Sequence, residues 1–160
     1  MRSKVFTAFA LTVATVVATI AWAAPAQAAP VSNFNVSGNP NSTVACHATQ
    51  TIDWGCTEGQ IEWHNRTATV YPVIYPSGWR NCTGHLYTEV VFESFAGSKK
   101  IHTVTRVAYC VHGWYSEPGF TIGDTNLVGG INRVKITLCN YTTNDGRTCG
   151  QNENYSKPAS

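Results

Sequence analysis

The chain has little charge, and it has no excess of either sign once its first residues are set aside. Charged residues make up 12% of the 160 positions, with 11 Lys and Arg against 9 Asp and Glu. Arg2 and Lys4 belong to the leader described below, so residues 29–160 carry 9 basic and 9 acidic side chains. Binding nucleic acid by neutralising phosphates needs a basic excess. The balance excludes that function as a leading idea, and it also excludes an acidic solvating tail.

Motifs of common catalytic chemistry are also missing. The sequence has no Gly-x-Ser-x-Gly elbow, no His-Glu-x-x-His and no glycine-rich phosphate loop. Gly129-Gly130 is an isolated pair, typical of a turn or bulge. Asp124-Thr125-Asn126 and Asn144-Asp145-Gly146 lack the spacing of an EF-hand loop and are explained by turn chemistry. We therefore expect no cofactor and assign no catalytic residue.

Metal-ligating spacing is absent too, because no two cysteines lie closer than ten positions apart. His85 and His112 could approach across a hairpin as a two-ligand or pH-sensing pair, although two unrelated surface imidazoles explain them more simply. Glu117 lies in an aromatic loop close to His112. A small secreted hydrolase or lyase using Glu117 with His112 or His85 is therefore an alternative function, and no metal site is predicted.

The sequence also has no long stretch with helical periodicity. Its apolar residues alternate with a period of two instead. Strands are predicted over residues 31–36, 66–75, 85–95, 99–112, 131–140 and 148–155, with a short strand or single turn at Ile61–Trp63. Six to eight short strands separated by Gly and Pro turns predict an all-β fold, a single antiparallel β-sandwich or small barrel. Pro72 predicts an edge strand or a bulge at its position.

The same alternation predicts which side chains share a face of each strand. Val134, Ile136 and Leu138 are expected to point inward. Leu86, Val90 and Phe92 share one face, opposite Glu89 and Glu93. The following strand carries Ile101, Val107, Tyr109 and Val111 on one face and His102, Arg106 and His112 on the other.

Residues 1–28 have the organisation of an export signal. Arg2 and Lys4 precede the apolar stretch 5–21, and Ala26-Gln27-Ala28 supplies the small residues that a signal peptidase reads. Cleavage after Ala23 is a second possibility. An uncleaved membrane anchor is the other alternative, against which four threonines and a proline within residues 5–25 weigh.

The domain prediction follows from this leader. Residues 1–28 are predicted as signal peptide, residues 29–42, rich in Ser, Asn, Gly and Pro, as a flexible N-terminal arm, and residues 43–160 as a single β domain. We expect a secreted, extracellular protein with no membrane attachment after cleavage.

Six cysteines follow the leader, and an even number in a small exported domain indicates disulfides. They are Cys46, Cys56, Cys82, Cys110, Cys139 and Cys149. Six cysteines allow 15 pairings. The last two flank the strong turn signal Asn144-Asp145-Gly146, the middle two mirror each other about a hairpin near Ala96-Gly97, and the first two close a short loop. We favour three disulfides between nearest neighbours along the chain.

Aromatic residues in loops are the best indication of a binding site. Trp79 follows the turn Pro76-Ser77-Gly78 and precedes Arg80, and Trp114-Tyr115 lies in a loop rich in Gly and Pro. A flat ring at the surface stacks on a sugar or anchors a protein interface. We predict Trp79, Arg80, Trp114 and Tyr115 as ligand-binding residues. The alternative is that these rings plug the open ends of the sandwich, while Trp54 and Trp63 are expected in the core.

The chain resembles the small secreted, cysteine-stapled β proteins common in actinomycetes. The resemblance rests on the Ala-rich leader ending Ala26-Gln27-Ala28-Ala29-Pro30 and on the strand-Cys-turn-Cys arrangement around Cys139 and Cys149. Many of these proteins have no assigned activity, so the resemblance carries no functional residue across. A second likeness is to bacterial proteinaceous amylase inhibitors, small disulfide-linked sandwiches that present Trp-Arg-Tyr on a turn. Here Trp79-Arg80 is followed by Asn81 in a considerably longer chain.

Together these features favour a secreted, non-enzymatic binding protein that recognises an extracellular polysaccharide or another secreted protein through its loop aromatics. The hydrolase or lyase built on Glu117 and a passive structural protein of the envelope remain the alternatives.

Overall fold

Strands make up most of the computed structural model, which describes residues 28–38, 46, 55–78 and 82–159. The described part holds nine strands and one 3₁₀ turn, so the all-β prediction is confirmed. The strands are β1 (Val31–Ser37), β2 (Cys56–Trp63), β3 (Thr67–Tyr75), β4 (His85–Ala96), β5 (Lys99–Tyr109), β6 (Tyr115–Ser116), β7 (Phe120–Gly123), β8 (Arg133–Thr142) and β9 (Gly146–Ser156), and the 3₁₀ turn is Cys110–His112.

The strands form two antiparallel sheets. In the first sheet the order is β1-β2-β3, and β6 and β7 both pair with the other side of β3. The second sheet has the order β5-β4-β8-β9. The two sheets face each other, and the described strands do not join into one closed barrel, so the sandwich is the correct choice between the two predicted architectures.

Side chains that alternate inward from both sheets fill the space between them. Val134, Ile136 and Leu138 are buried, as predicted, and so are Ile61 and Trp63. The inward face of β4 is also apolar at Val90 and Phe92 and meets Phe34 and Phe120 in edge-to-face ring contacts. Sheets separated by about 10 Å bury such alternating residues completely.

Part of the predicted N-terminal arm, residues 29–42, is a strand in the structure. Residues 31–37 form β1, which pairs along its whole length with β2. The predicted short strand is therefore present, and Phe34 and Val36 pack in the core. Apolar side chains at alternate positions give this strand a buried face, which outweighs its polar composition. The predicted signal peptide falls on residues 1–27, outside the described residues, apart from Ala28.

Pro72 lies inside a sheet rather than at its edge. It pairs with Gly59 of β2 on one side, and its carbonyl accepts a hydrogen bond from Glu117 N–H on the other at 3.0 Å. Because the nitrogen and carbonyl of one strand residue point towards the same neighbour, the ring nitrogen faces the break between β6 and β7. At this break the sheet does not need the N–H that Pro72 lacks. A proline is therefore tolerated in an internal strand.

A bulge reverses the alternation of β5. Ser94 pairs with His102 but Phe95 pairs with Lys100, so Ile101 is an extra residue. Beyond it the opposite set of side chains faces the first sheet: Val104 packs on the core and Ala108 is buried. Tyr109 is therefore turned outward with about half of its surface exposed, and Val111 is exposed as well. Ile101 itself packs on the core, so the prediction that Tyr109 and Val111 share its face is wrong.

The disulfides connect nearest neighbours, as favoured from the sequence. Cys46 bonds to Cys56, Cys82 to Cys110, and Cys139 to Cys149. Cys139 and Cys149 are register partners across β8 and β9, and Cys82–Cys110 ties the segment before β4 to the 3₁₀ turn that follows β5. No helix within the described ranges has the length and apolar character needed to cross a membrane.

Candidate functional site

The predicted loop aromatics fall into two groups. Trp79 and Arg80 lie outside the described residues. Trp114 is 58% exposed and Tyr115 is 43% exposed. Neither of these two rings plugs the sandwich, because so much of each stays open to solvent, whereas Trp63 is in the core as expected.

A solvent-facing groove of about 380 Å³ runs beside the edge strand β5. It is lined by Val107, Ala108, Tyr109, His112, Gly113, Trp114 and Tyr115. The 3₁₀ turn and β6 form its far wall, and the Cys82–Cys110 disulfide anchors that wall to the segment before β4. Gly78 O lies 3.1 Å from Cys110 Sγ, so the turn that leads into Trp79 adjoins this wall.

Tyr109 also belongs to a row of three tyrosines across the outer face of the second sheet. Tyr87 of β4 is the register partner of both Tyr109 of β5 and Tyr141 of β8. The rings of Tyr87 and Tyr141 stack with centroids 4.1 Å apart, and Tyr109 tilts against Tyr87 at 5.5 Å. Burial between its neighbours, together with a hydrogen bond to Tyr141, raises the pKa of Tyr87. We call these three residues the tyrosine row.

The tyrosine row supports the groove from behind. Tyr87 has a stacked neighbour in Tyr141 and a tilted neighbour in Tyr109, so its ring is less accessible to a ligand than that of Tyr109. Tyr109 at the end of the row has one face against Tyr87 and is 52% exposed. The His112 ring meets Tyr109 edge-on at 6.2 Å. Packed aromatic neighbours of this kind hold an exposed ring in one orientation.

A charged pair lies at the other end of the tyrosine row. One oxygen of Glu89 accepts a hydrogen bond from Arg147 Nη2 at 2.7 Å, and the other accepts one from the Tyr141 hydroxyl at 3.3 Å. The bond to Glu89 raises the pKa of Arg147. Arg147 follows Tyr141 in the cross-strand row because the two residues are register partners.

Glu117, two residues after the groove residue Tyr115, is paired with a cation. Its Oε1 lies 3.0 Å from Arg106 Nε, and the guanidinium of Arg106 covers the Phe120 ring at 4.4 Å. A hydrogen bond to Glu117 raises the pKa of Tyr115. Glu117 is thus an ion-paired group that orients a groove tyrosine.

The two histidines proposed as partners of Glu117 have other contacts. His85 Nδ1 lies 2.8 Å from Ser77 Oγ, and His112 packs against Tyr109. Within the described ranges, no cluster of three or more His, Cys, Asp or Glu is arranged to hold a metal ion.

Three exposed aromatic side chains, Tyr109, Trp114 and Tyr115, line the groove. Among the described residues, eight large hydrophobic side chains are exposed, and five of them come from residues 86–115. These five are Leu86, Tyr109, Val111, Trp114 and Tyr115. Exposed apolar residues that share one groove mark an interaction surface more often than scattered exposed residues do.

Sequence reasoning missed Tyr87, Tyr141 and Arg147. The pairing of Tyr87 with Tyr109 follows from the hairpin turn at Gly97 once one bulged residue is allowed. Tyr141 and Arg147 mirror each other about the turn Asn144-Asp145-Gly146, but their link to Tyr87 had no local signal, because Tyr87 and Tyr141 are 54 positions apart in the chain.

Comparison of the chain with protein-family models, with curated proteins and with solved structures finds no match.

Proposed function

We propose that this chain is an extracellular, non-enzymatic binding protein that recognises a polysaccharide through the groove beside β5. The observation that carries the proposal is that Tyr109 and Trp114, both more than half exposed, line the same groove. Both rings are open to solvent beside the groove, and the tyrosine row restrains Tyr109.

Sugar chemistry matches this lining. Sugar rings present C–H faces that pack on aromatic rings, and hydroxyls around the ring edge that bind polar groups. His112 and the hydroxyls of Tyr109 and Tyr115 supply polar partners beside the two rings. A volume of about 380 Å³ falls within the range of about 300–1,000 Å³ that is common for small-molecule sites.

An extracellular location is supported by the three disulfides in a small domain, since such bonds persist in oxidising compartments. The export signal predicted over residues 1–28 supports it independently.

The hydrolase alternative has less support. A general acid or base at neutral pH needs a carboxyl whose proton affinity suits the task and which can reach the substrate. Glu117 is instead paired with Arg106 and bonded to Tyr115, and neither His85 nor His112 is among these partners. Its contacts suit a positioning residue for the groove.

The first test is sedimentation of the purified, oxidised protein with insoluble cell-wall and plant polysaccharides. We expect Trp114→Ala to weaken binding by about 30-fold, since truncating a central aromatic contact typically costs about 2 kcal/mol or more. Tyr109→Ala should have a comparable effect, because it removes the restrained ring. Both variants should unfold at nearly the wild-type denaturant concentration, as the two side chains are outside the core.

Tyr71→Ala is the matched control. Tyr71 is also an exposed aromatic residue, but it lies on the outer face of the first sheet. Its removal should leave binding unchanged. Wild-type protein that sediments with no polysaccharide, but is captured by a secreted protein in a way that Trp114→Ala abolishes, would replace the polysaccharide with a protein partner. Equal loss of binding in all three variants would contradict the assigned site.

A further inference from the structure

The tyrosine row continues away from the groove, and its far end has no role in the binding described so far. We infer that the row and the Glu89–Arg147 pair form the second half of one extended site, which takes a linear, uncharged oligosaccharide lying across β5, β4, β8 and β9. This inference rests on the proposed polysaccharide binding and adds the length, direction and charge of the ligand.

Continuity of the surface is the first argument. Tyr109 lines the groove and is also the first member of the row, so no gap separates the two halves. From Tyr109 the row passes through Tyr87 and Tyr141 to Arg147 by successive register pairs. Four strands spaced by about 4.8 Å span about 14 Å. That is the length of a short oligosaccharide rather than of a single sugar.

The polar groups along the row suit hydroxyl recognition. The stacked rings of Tyr87 and Tyr141 cover each other's faces, so they offer ring edges and hydroxyl oxygens to a ligand. Arg147 is partly exposed and uses Nη2 to bond Glu89. A guanidinium has five N–H donors, so others remain to donate to sugar oxygens. Glu89 and Tyr141 hold the Arg147 guanidinium in one orientation before any ligand binds.

Charge along the row indicates an uncharged ligand. The row ends in one acid and one base that are already paired, at 2.7 Å. The next acid along β4, Glu93, lies between Lys100 at 2.9 Å and Lys135 at 3.6 Å, and the hydrogen bond from Lys100 lowers its pKa. An anionic chain would have to compete with Glu89 for Arg147, whereas neutral hydroxyls bind without breaking the pair.

The test is a binding series with linear oligosaccharides of one to six units prepared from cellulose, chitin, xylan and mannan, with oligogalacturonates as charged counterparts. We expect the affinity of the preferred neutral sugar to rise at least tenfold between two and four units and then level off. Arg147→Ala should weaken binding of the hexasaccharide at least tenfold and leave the affinity for the disaccharide unchanged, because only the longer chain reaches β9.

Arg133→Ala is the control, since Arg133 lies on the same sheet but packs on Phe95 and bonds Asn154. It should bind every member of the series as the wild type does. Binding that is independent of chain length, or equal loss of di- and hexasaccharide in Arg147→Ala, would overturn the extended site while leaving the groove intact. Tighter binding of oligogalacturonates than of the neutral oligosaccharides would overturn the inference that the ligand is uncharged. Failure of the whole panel would overturn the polysaccharide function itself.

Discussion

Loss of the Cys82–Cys110 disulfide should cost more stability than loss of any other bridge. We expect the double variant Cys82→Ala/Cys110→Ala to lower the free energy of unfolding by about 3.6 kcal/mol, from the entropy of closing a 28-residue separation in the unfolded chain. That is a large share of the 5–15 kcal/mol typical of a whole domain. Replacing both cysteines leaves no lone thiol to form a wrong bridge. Denaturant unfolding of the oxidised proteins measures the difference.

The double variant Cys139→Ala/Cys149→Ala is the matched comparison. Its bridge has a sequence separation of only 10, so the same reasoning gives about 2.7 kcal/mol. The two variants should also differ in binding. Cys82–Cys110 anchors the 3₁₀ turn that carries His112 beside the groove, so its loss should weaken binding even where the protein is still folded. A larger loss of stability in Cys139→Ala/Cys149→Ala, or unchanged binding in Cys82→Ala/Cys110→Ala, would contradict this role of the Cys82–Cys110 bridge.

A single methyl group at Gly130 should destabilise the fold by about 3 kcal/mol or more. Gly130 has a φ of +68°, which favours glycine, and a Cβ built there lies 2.3 Å from the backbone oxygen of Asn65. A left-handed residue other than glycine costs about 1–2 kcal/mol. Overpacking against rigid backbone typically adds a further 1–3 kcal/mol or so. The oxygen belongs to the β2–β3 connection and cannot turn away as a side chain would.

The neighbouring glycine separates the two causes. Gly129 also has a positive φ, of +82°, but a Cβ there meets no atom within 4 Å. Gly129→Ala should therefore lower the free energy of unfolding by only the conformational cost, about 1–2 kcal/mol. Both variants can be compared with the wild type in thermal and denaturant unfolding. Equal destabilisation at the two positions would mean that the close approach to Asn65 is not what requires glycine at Gly130.

Local patterns were sufficient to predict much of the fold. Period-two alternation identified the inward residues of β8, because one face of this strand is buried. Turn signals located the hairpins, and the cysteines that mirror each other about those turns became disulfide partners. These predictions depend on residues that are close in sequence, and a single strand or hairpin already contains the necessary information.

The errors have equally specific physical causes. The bulge at Ile101 reverses the faces of β5 and turns Tyr109 outward, and alternation in the sequence has no sign of that extra residue. Pro72 is internal because the neighbouring strand is broken into β6 and β7 opposite its nitrogen. Both features depend on the partner strand, so the sequence of one strand alone cannot predict them.

The candidate site was predicted only in part. The loop rich in Gly and Pro predicts that Trp114 and Tyr115 lie at the surface, and both line the groove. The tyrosine row depends on the pairing of β4 with β8, which is a long-range contact. Three tyrosines spread between positions 87 and 141 show no common pattern until the register brings them together.

Backbone and indole NMR spectra, recorded while the tightest-binding hexasaccharide of the panel is added, test the central claim most directly. We expect the resonances of Tyr109, His112 and Trp114 to shift together with those of Tyr87, Tyr141 and Arg147, and Tyr71 on the opposite sheet to remain unchanged. Shifts confined to the first sheet, or a spectrum that no hexasaccharide alters, would contradict carbohydrate binding at the groove and the tyrosine row.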